Sequence, residues 1–268
     1  MPELPEVETV LRTLEDRIQG RGIEEVEVIY PKIVECDPKA FCDALTGRHF
    51  LEFRRRGKYL LFGMEDVILV SHLRMEGKYY ILPKEEPYDR HTHVVFHLDD
   101  GSTLRYHDTR KFGRMELMAP DIDLRTFHDL GPEPFSEEFS GDYVYREARR
   151  RHVPVKSLLL DQSFAAGIGN IYADEICYAC GLRPGRSSQR LRHLDCDAIA
   201  EHTKRILAAA VKAGGTTIRS YTSSLGVTGL FQLECMVHTR SICPHCGGQI
   251  KIKRIGGRSS YYCPHCQR

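Results

Sequence analysis

The most specific chemistry in this 268-residue chain lies in four cysteines near its C-terminal end: Cys243-Pro-His-Cys246, sixteen residues, then Cys263-Pro-His-Cys266. Four thiolates at that spacing can close a tetrahedron around one Zn2+, and a piece of roughly 30 residues has too little core to fold without such a staple. Sulfur at all four positions leaves no open coordination site, so the metal reads as structural, one Zn2+ per chain, with no organic cofactor. His245 and His265, inside the two knuckles, read as surface positions. A further CxxC, Cys177-Tyr-Ala-Cys180, has no matching pair beside it and reads as two packed thiols. At the other end, MPELPEVE crowds two prolines and three glutamates into eight residues. Acids near a helix start complement its dipole and Pro5 suits a first turn, but neither accounts for Pro2. The cations are clustered, at Arg54-Arg55-Arg56 with Lys58, at Arg149-Arg150-Arg151-His152, and from Lys251 to Arg258. A net charge of only +1 can therefore hide a basic face suited to phosphates.

The elements that must position these residues follow from periodicity. Val7, Val10, Leu11, Leu14 and Ile18 trace one buried helix face directly behind the proline-rich start. Residues 22 to 119 alternate in strand-like runs, and THVVFHLDDGSTLRYHD predicts a hairpin with Asp-Gly at its turn. LGPEPFSEEFSGDY, 130 to 143, concentrates Pro, Gly, Ser and acid and reads as a linker. From Tyr145 to Gly214 the period is helical, most clearly in CDAIAEHTKRILAAAVKAGG, where Ile199, Ile206, Leu207, Ala210 and Val211 are expected on one face with a stop at Gly214. Gly167-Ile-Gly-Asn170 in this region predicts a tight turn offering backbone N–H groups at a helix start, a seat for an anion. KIKRIGGRSSYY, between the knuckles, predicts a basic hairpin with glycines at its tip. With 41% hydrophobic and 28% charged residues, the chain can bury a sizeable core and no apolar run approaches the roughly 18 residues of a membrane span. An acidic start is not a secretory signal, so a reduced, cytoplasmic protein is expected.

Taken in order, MPELPEVE, RRRGKYL, HLRMEGK, HDTRKFGR, LGPEP, KSLLLDQSFAAGIGNIYADE, GGTTIR and the closing C-x2-C-x16-C-x2-CQ span nearly the whole chain and resemble the bacterial formamidopyrimidine-DNA glycosylase (Fpg) family. The resemblance implies an α+β, multi-domain fold: an N-terminal β-sandwich with flanking helices (2–131), a hinge (132–143), a helical helix-two-turn-helix domain (144–236) and a C-terminal zinc-finger hairpin (237–268). It implies a bifunctional DNA glycosylase/AP lyase of base excision repair that removes oxidised purines and then cuts the strand. The partner is damaged double-stranded DNA, met by a monomer in the bacterial cytoplasm at the nucleoid, with no membrane.

By the same resemblance, loss of Met1 leaves Pro2 with a secondary amine that attacks the sugar C1′, which an amide nitrogen could not do. Glu3 matches the acid/base carboxylate, Lys58 the lysine near the damaged base and cut phosphate, and Arg258 the zinc-finger arginine that grips phosphates. Met75, Arg110 and Phe112 match the trio that fills the gap left by the flipped nucleotide. Glu6, His91, Arg151, Lys156 and Asn170 complete the expected DNA-binding set, with Glu6 also expected to hold the N-terminus. His238 stands where the family commonly has Tyr. SYTSSLGVTGLFQ matches a mobile, lesion-covering segment. Two other readings are an oxidised-pyrimidine-specific relative and a catalytically silent zinc-ribbon DNA-binding protein.

Overall fold

The structure is a computed structural model that describes residues 1–124, 127–216 and 229–268. The chain divides into two compact units. The first comprises Met1–Leu124 with the described residues of Gly214–Gly229, and the second comprises the described residues of Arg125–Ala213 with Leu230–Arg268.

The first unit opens with α1 (Leu4–Ile18), whose expected face, Val7, Val10, Leu11, Leu14 and Ile18, is buried together with Leu4. Then come β1 (Ile23–Val28), α2 (Pro38–Leu45), β2 (Glu52–Arg56), β3 (Tyr59–Gly63), β4 (Ile68–His72), β5 (Lys78–Pro83), β6 (Thr92–Leu98), β7 (Ser102–His107) and β8 (Arg114–Met118). The strands form two antiparallel four-stranded sheets, in the orders β1-β6-β7-β5 and β2-β3-β4-β8. One core joins both sheets and α1, with Phe62 of one sheet packed edge-on against Tyr79 of the other, ring centres 6.0 Å apart. Burying such a side chain contributes about 1.5–3 kcal/mol each, which is how apolar alternation alone can specify a sandwich. The predicted hairpin is β6–β7, with Val94 opposite Tyr106, His97 opposite Thr103, and Gly101 at φ +80° in its turn.

The second unit contains α3 (Gly141–Arg150), α4 (Val155–Leu160), α5 (Asn170–Ala179), α6 (His193–Lys212), β9 (Lys251–Ile255) and β10 (Arg258–Tyr262). The α6 face is turned slightly from the expected one: Cys196, Ile199, Ala200, Thr203, Leu207 and Ala210 are buried, whereas Ile206 and Val211 are only partly covered. Thr203 stands four residues after Ile199 and four before Leu207, so a polar residue occupies the buried stripe.

Grouping by contact gives two units, one of them holding both the helices and the zinc-binding segment. The Pro- and Ser-rich stretch before Tyr145 is packed: Phe139 and Phe164 are fully buried, and Tyr143 Oη donates to the Phe164 carbonyl at 2.8 Å. Gly131 N–H donates to the Gln162 carbonyl at 2.8 Å, and α3 begins four residues early, capped by Ser140. Aromatic burial here outweighs turn-like composition. The zinc-binding segment groups with the helices, and the described residues of Gly214–Gly229 group with the sandwich.

Candidate active site and nucleic-acid interface

Within the sandwich unit, α1 starts with a capping box in which Glu3 and Glu6 exchange side-chain and backbone contacts; Glu6 Oε2 accepts the Glu3 N–H at 2.8 Å. Both carboxylates are buried, 3% and 5% exposed. The other Glu6 oxygen accepts from the Thr216 N–H at 2.7 Å and its hydroxyl at 2.9 Å. Gly215 sits at φ +77°, and a Cβ there would lie 2.8 Å from Glu6 Oε1, which gives the paired glycines of GGTTIR a reason. Glu6 was expected in the DNA-binding set; its carboxylate is instead committed to internal donors, and it ties the N-terminus to residue 216.

Burial lowers the pKa of the N-terminal amine, opposed by the charges of Glu3, Glu6 and Glu76 and reinforced by Lys58. These four groups are therefore the electrostatic surroundings of the N-terminus. Lys58 is 6% exposed in the β2–β3 turn, which Gly57 closes at φ +57°. Glu76, in HLRMEGK, was not singled out from sequence; only its block marked it. The neighbouring arginine run is less of a phosphate track than its composition suggests. Arg55 Nε donates to Glu8 Oε2 at 2.8 Å and Arg56 Nε to the Leu124 carbonyl at 2.9 Å, so two of the three act as struts.

The expected gap-filling residues lie on two loops built around buried anchors. Asp108 is fully buried, and its carboxylate accepts the N–H groups of Arg110, Phe112 and Gly113 at 2.9, 2.9 and 2.8 Å. Phe112 is 47% exposed, with the Arg110 guanidinium 4.7 Å from its ring centre. Gly77 and Gly113 approach the same Tyr106 hydroxyl; added Cβ atoms would stand 2.3 and 1.6 Å from it. Thr109 Oγ1 donates to Glu76, which links the Met75 loop to the Phe112 loop; Met75 itself is partly covered. His91 is partly covered, its Nε2 accepting from Arg90 at 3.0 Å, with the His107 ring 5.4 Å away.

In the helical unit, Asn170 opens α5 directly after Gly169, and its Oδ1 is buried with no partner among the described residues. Gly167, at φ +94°, makes the turn before it. Arg151 pairs with Glu147 and, at 3.3 Å, with Asp161, while Arg150, also paired with Glu147, is more exposed than Arg151. Lys156 departs furthest from expectation. It is fully buried, with Nζ 2.7 Å from Asp174 Oδ1, so it offers no ammonium to a DNA backbone. Burying that charge requires a buried partner, and Asp174 provides it.

Arg258 is exposed at the start of β10, following Gly256 and Gly257 at φ +55° and +77°. This two-residue turn suits the twist of a hairpin. Below it, the sulfurs of Cys243, Cys246, Cys263 and Cys266 all lie within 4.8 Å of one another, and no other such group occurs among the described residues. The Cys243–Cys266 and Cys246–Cys263 separations, 3.8 and 3.4 Å, lie near the roughly 3.8 Å edge of a tetrahedron with Zn–S bonds of about 2.3 Å. The donor set fits a closed structural Zn2+. Burial raises the Cys177 thiol and pushes Cys180 up to about 12, as expected of packed, unreactive thiols. The expected lesion-covering segment lies mostly at 217–228, outside the described residues.

A sandwich with a desolvated terminal amine, and a helical unit carrying a four-thiolate hairpin, define a protein of the helix-two-turn-helix, zinc-finger class. Residues 1–115 match the formamidopyrimidine-DNA glycosylase N-terminal domain, 130–222 its H2TH domain, and 242–268 the zinc finger found in FPG and IleRS. The chain is 43% identical to formamidopyrimidine-DNA glycosylase of Bacillus licheniformis, with both chains fully covered, and 44% identical to that of Streptococcus pneumoniae over 100% of this chain and 99% of the other. It is also similar to a crystal structure of a Lactococcus lactis FPG mutant in complex with Fapy-dG containing DNA, at TM-score 0.94 and 38% identity with both chains fully covered. The L. lactis Fpg complex with abasic-site DNA matches at TM-score 0.93 and 37% identity over 99% of each chain. The chain belongs to the formamidopyrimidine-DNA glycosylase family. No helix among the described residues is long and apolar enough to cross a membrane.

Proposed function

We propose that this chain is a bifunctional DNA glycosylase and AP lyase of base excision repair, acting on 8-oxoguanine and formamidopyrimidines in double-stranded DNA at the bacterial nucleoid. The observation that carries the reading is the partly buried N-terminal amine among Glu3, Glu6, Lys58 and Glu76. Loss of Met1 transfers that environment to the Pro2 amine. Pro2 nitrogen, whose pKa the same burial would lower, bonds to C1′ in its unprotonated form as the glycosidic bond breaks, and the base departs with the bonding electrons. Glu3 protonates the opening sugar oxygen and then shuttles protons as the iminium draws electrons from the sugar for β- and δ-elimination. Lys58 attends the damaged base and the cut phosphate. Arg258 grips phosphate from the zinc hairpin. Bound Zn2+ supplies folding energy to that hairpin and no chemistry.

Reaching C1′ requires an extruded nucleotide. Met75 and Phe112 replace the lost stacking. Arg110 donates to the exposed edge of the orphaned base, which suits the acceptors of cytosine and not the amino group of adenine. The test is borohydride trapping on 8-oxoguanine duplexes, with cytosine or adenine opposite, beside an oxidised-thymine duplex. The adduct is expected at Pro2, formed fastest opposite cytosine. An adduct at Lys58 would refute the nucleophile, faster trapping on the pyrimidine would favour the oxidised-pyrimidine branch, and no adduct on any duplex would leave a DNA-binding zinc ribbon.

A further inference from the structure

Lys156 makes two contacts with its ammonium: the ion pair to Asp174, at 2.7 Å, and a hydrogen bond to the carbonyl of Ser259, at 2.8 Å. Ser259 follows Arg258 directly in β10. The second oxygen of Asp174 accepts from His238 Nδ1 at 2.9 Å, and the His238 ring lies 4.9 Å from that of Tyr261, further along the same strand. The neighbouring Glu175 accepts three consecutive backbone N–H groups, those of Met236, Val237 and His238, at 2.7, 3.0 and 2.8 Å. Two adjacent carboxylates of α5 thus hold both the approach to the zinc knuckles and, through Lys156, the strand that carries Arg258.

A buried ion pair adds little stability over an apolar packing of the same volume, but here it fixes geometry, because Lys156 also donates to the Ser259 carbonyl and the second Asp174 oxygen accepts from His238, tying two further chain segments to it. Arg258 is a long exposed side chain whose reach is set by its backbone. We infer that Lys156, Asp174 and Glu175 are positioning residues that seat the zinc hairpin on α5 and so aim Arg258 at a DNA phosphodiester. Lys156 touches no DNA. The inference rests on the proposed DNA-binding role of Arg258.

The experiment uses full-length, zinc-loaded protein and a duplex containing an abasic-site analogue, with affinity measured across a salt series. Lys156→Met alone strands a buried carboxylate, so the informative variant is Lys156→Met with Asp174→Leu, which removes both charges and keeps volume. With one zinc per chain retained, this variant is expected to bind on the order of tenfold more weakly. Its slope of log affinity against log salt should fall by about one, the signature of one lost phosphate contact. At saturating 8-oxoguanine duplex, single-turnover excision should stay within about twofold of wild type, whereas a general folding defect would lower the amplitude at unchanged affinity.

In an Arg258→Ala background the same pair of substitutions should change neither affinity nor slope. A further fall of about one in slope there would mean that Lys156 contacts phosphate itself, and unchanged affinity in the wild-type background would mean that the network aims nothing; either overturns the inference. Zinc loss both in that variant and in the milder Asp174→Asn would reduce the network to a folding element and overturn it too. Binding needs no chemistry, so a wild type that binds but never excises would fail the proposed function and leave this test readable.

Discussion

An amine attacks carbon only when unprotonated, and the residues around the N-terminus act on that condition from both sides. Burial and Lys58 push its pKa down; Glu3, Glu6 and Glu76 push it up, with the net direction downward. The sign for each substitution follows. Lys58→Met removes a repelling cation and should raise the pKa of the Pro2 amine, shifting the acid limb of borohydride trapping to higher pH. Glu3→Gln removes an anion that favours the protonated form and should lower the same pKa, while reducing excision by about 10²–10⁴-fold through loss of the proton donor. A nitrogen-15 NMR titration of the terminal amine reads both shifts without activity, and an amine unmoved by either substitution would contradict this arrangement. Residue types at this end were legible because MPELPEVE has no folding reason for Pro2. Partners were not. Glu6, Arg55 and Lys156 are all charged residues whose sequence context suits solvent or phosphate, yet each is held by a group distant in sequence: Thr216, Glu8 and Asp174.

One buried carboxylate organises the loop after β7. Asp108 satisfies three backbone donors within five residues, so the loop can hold Phe112 out in solvent without disorder. Asp108→Ala should lower stability by about 2–4 kcal/mol, because buried N–H groups lose a charged acceptor, and it should slow excision with it. Phe112→Ala should cost under about 1 kcal/mol of stability, since the ring is half-exposed, yet slow excision more from a fully paired duplex than from a mismatched one. Thermal unfolding with single-turnover rates on the two duplexes separates these outcomes; equal slowing on both would deny Phe112 a role in filling the gap. Local pattern predicted the elements best where one face is wholly apolar, as in α1 and the β6–β7 hairpin. It did less well where a polar residue occupies the buried stripe, as Thr203 does in α6, and where aromatics pack a turn-rich stretch, as Phe139 before α3 and Tyr143 in its first turn do.

At the scale of the molecule, the two units are stabilised by different means. The sandwich has a continuous core drawn from both sheets and α1. The zinc-binding segment has a cluster of four buried residues, Val237, Cys243, Ile250 and Cys263, of which two are thiolate ligands. Without metal, those two sulfurs are unliganded and Val237 and Ile250 remain, with the partly covered Tyr178 and Tyr261 beside them. That is far less apolar surface than a segment of this length needs to offset its ordering entropy of about 1–2 kcal/mol per residue. Metal removal by a strong chelator, or Cys246→Ser, should therefore unfold β9–β10 selectively. The turn at Gly256-Gly257 would lose its register, Arg258 would lose its place, and DNA affinity should fall by on the order of 100-fold or more. The sandwich, whose core includes none of the four ligands, should persist, and so should helices α3 to α6, which meet the cysteine cluster through Tyr178 of α5. Far-UV circular dichroism should accordingly change little while metal analysis falls from one zinc per chain to none, and near-complete loss of helical signal together with the metal would mean that the zinc staples the whole second unit and not its hairpin alone.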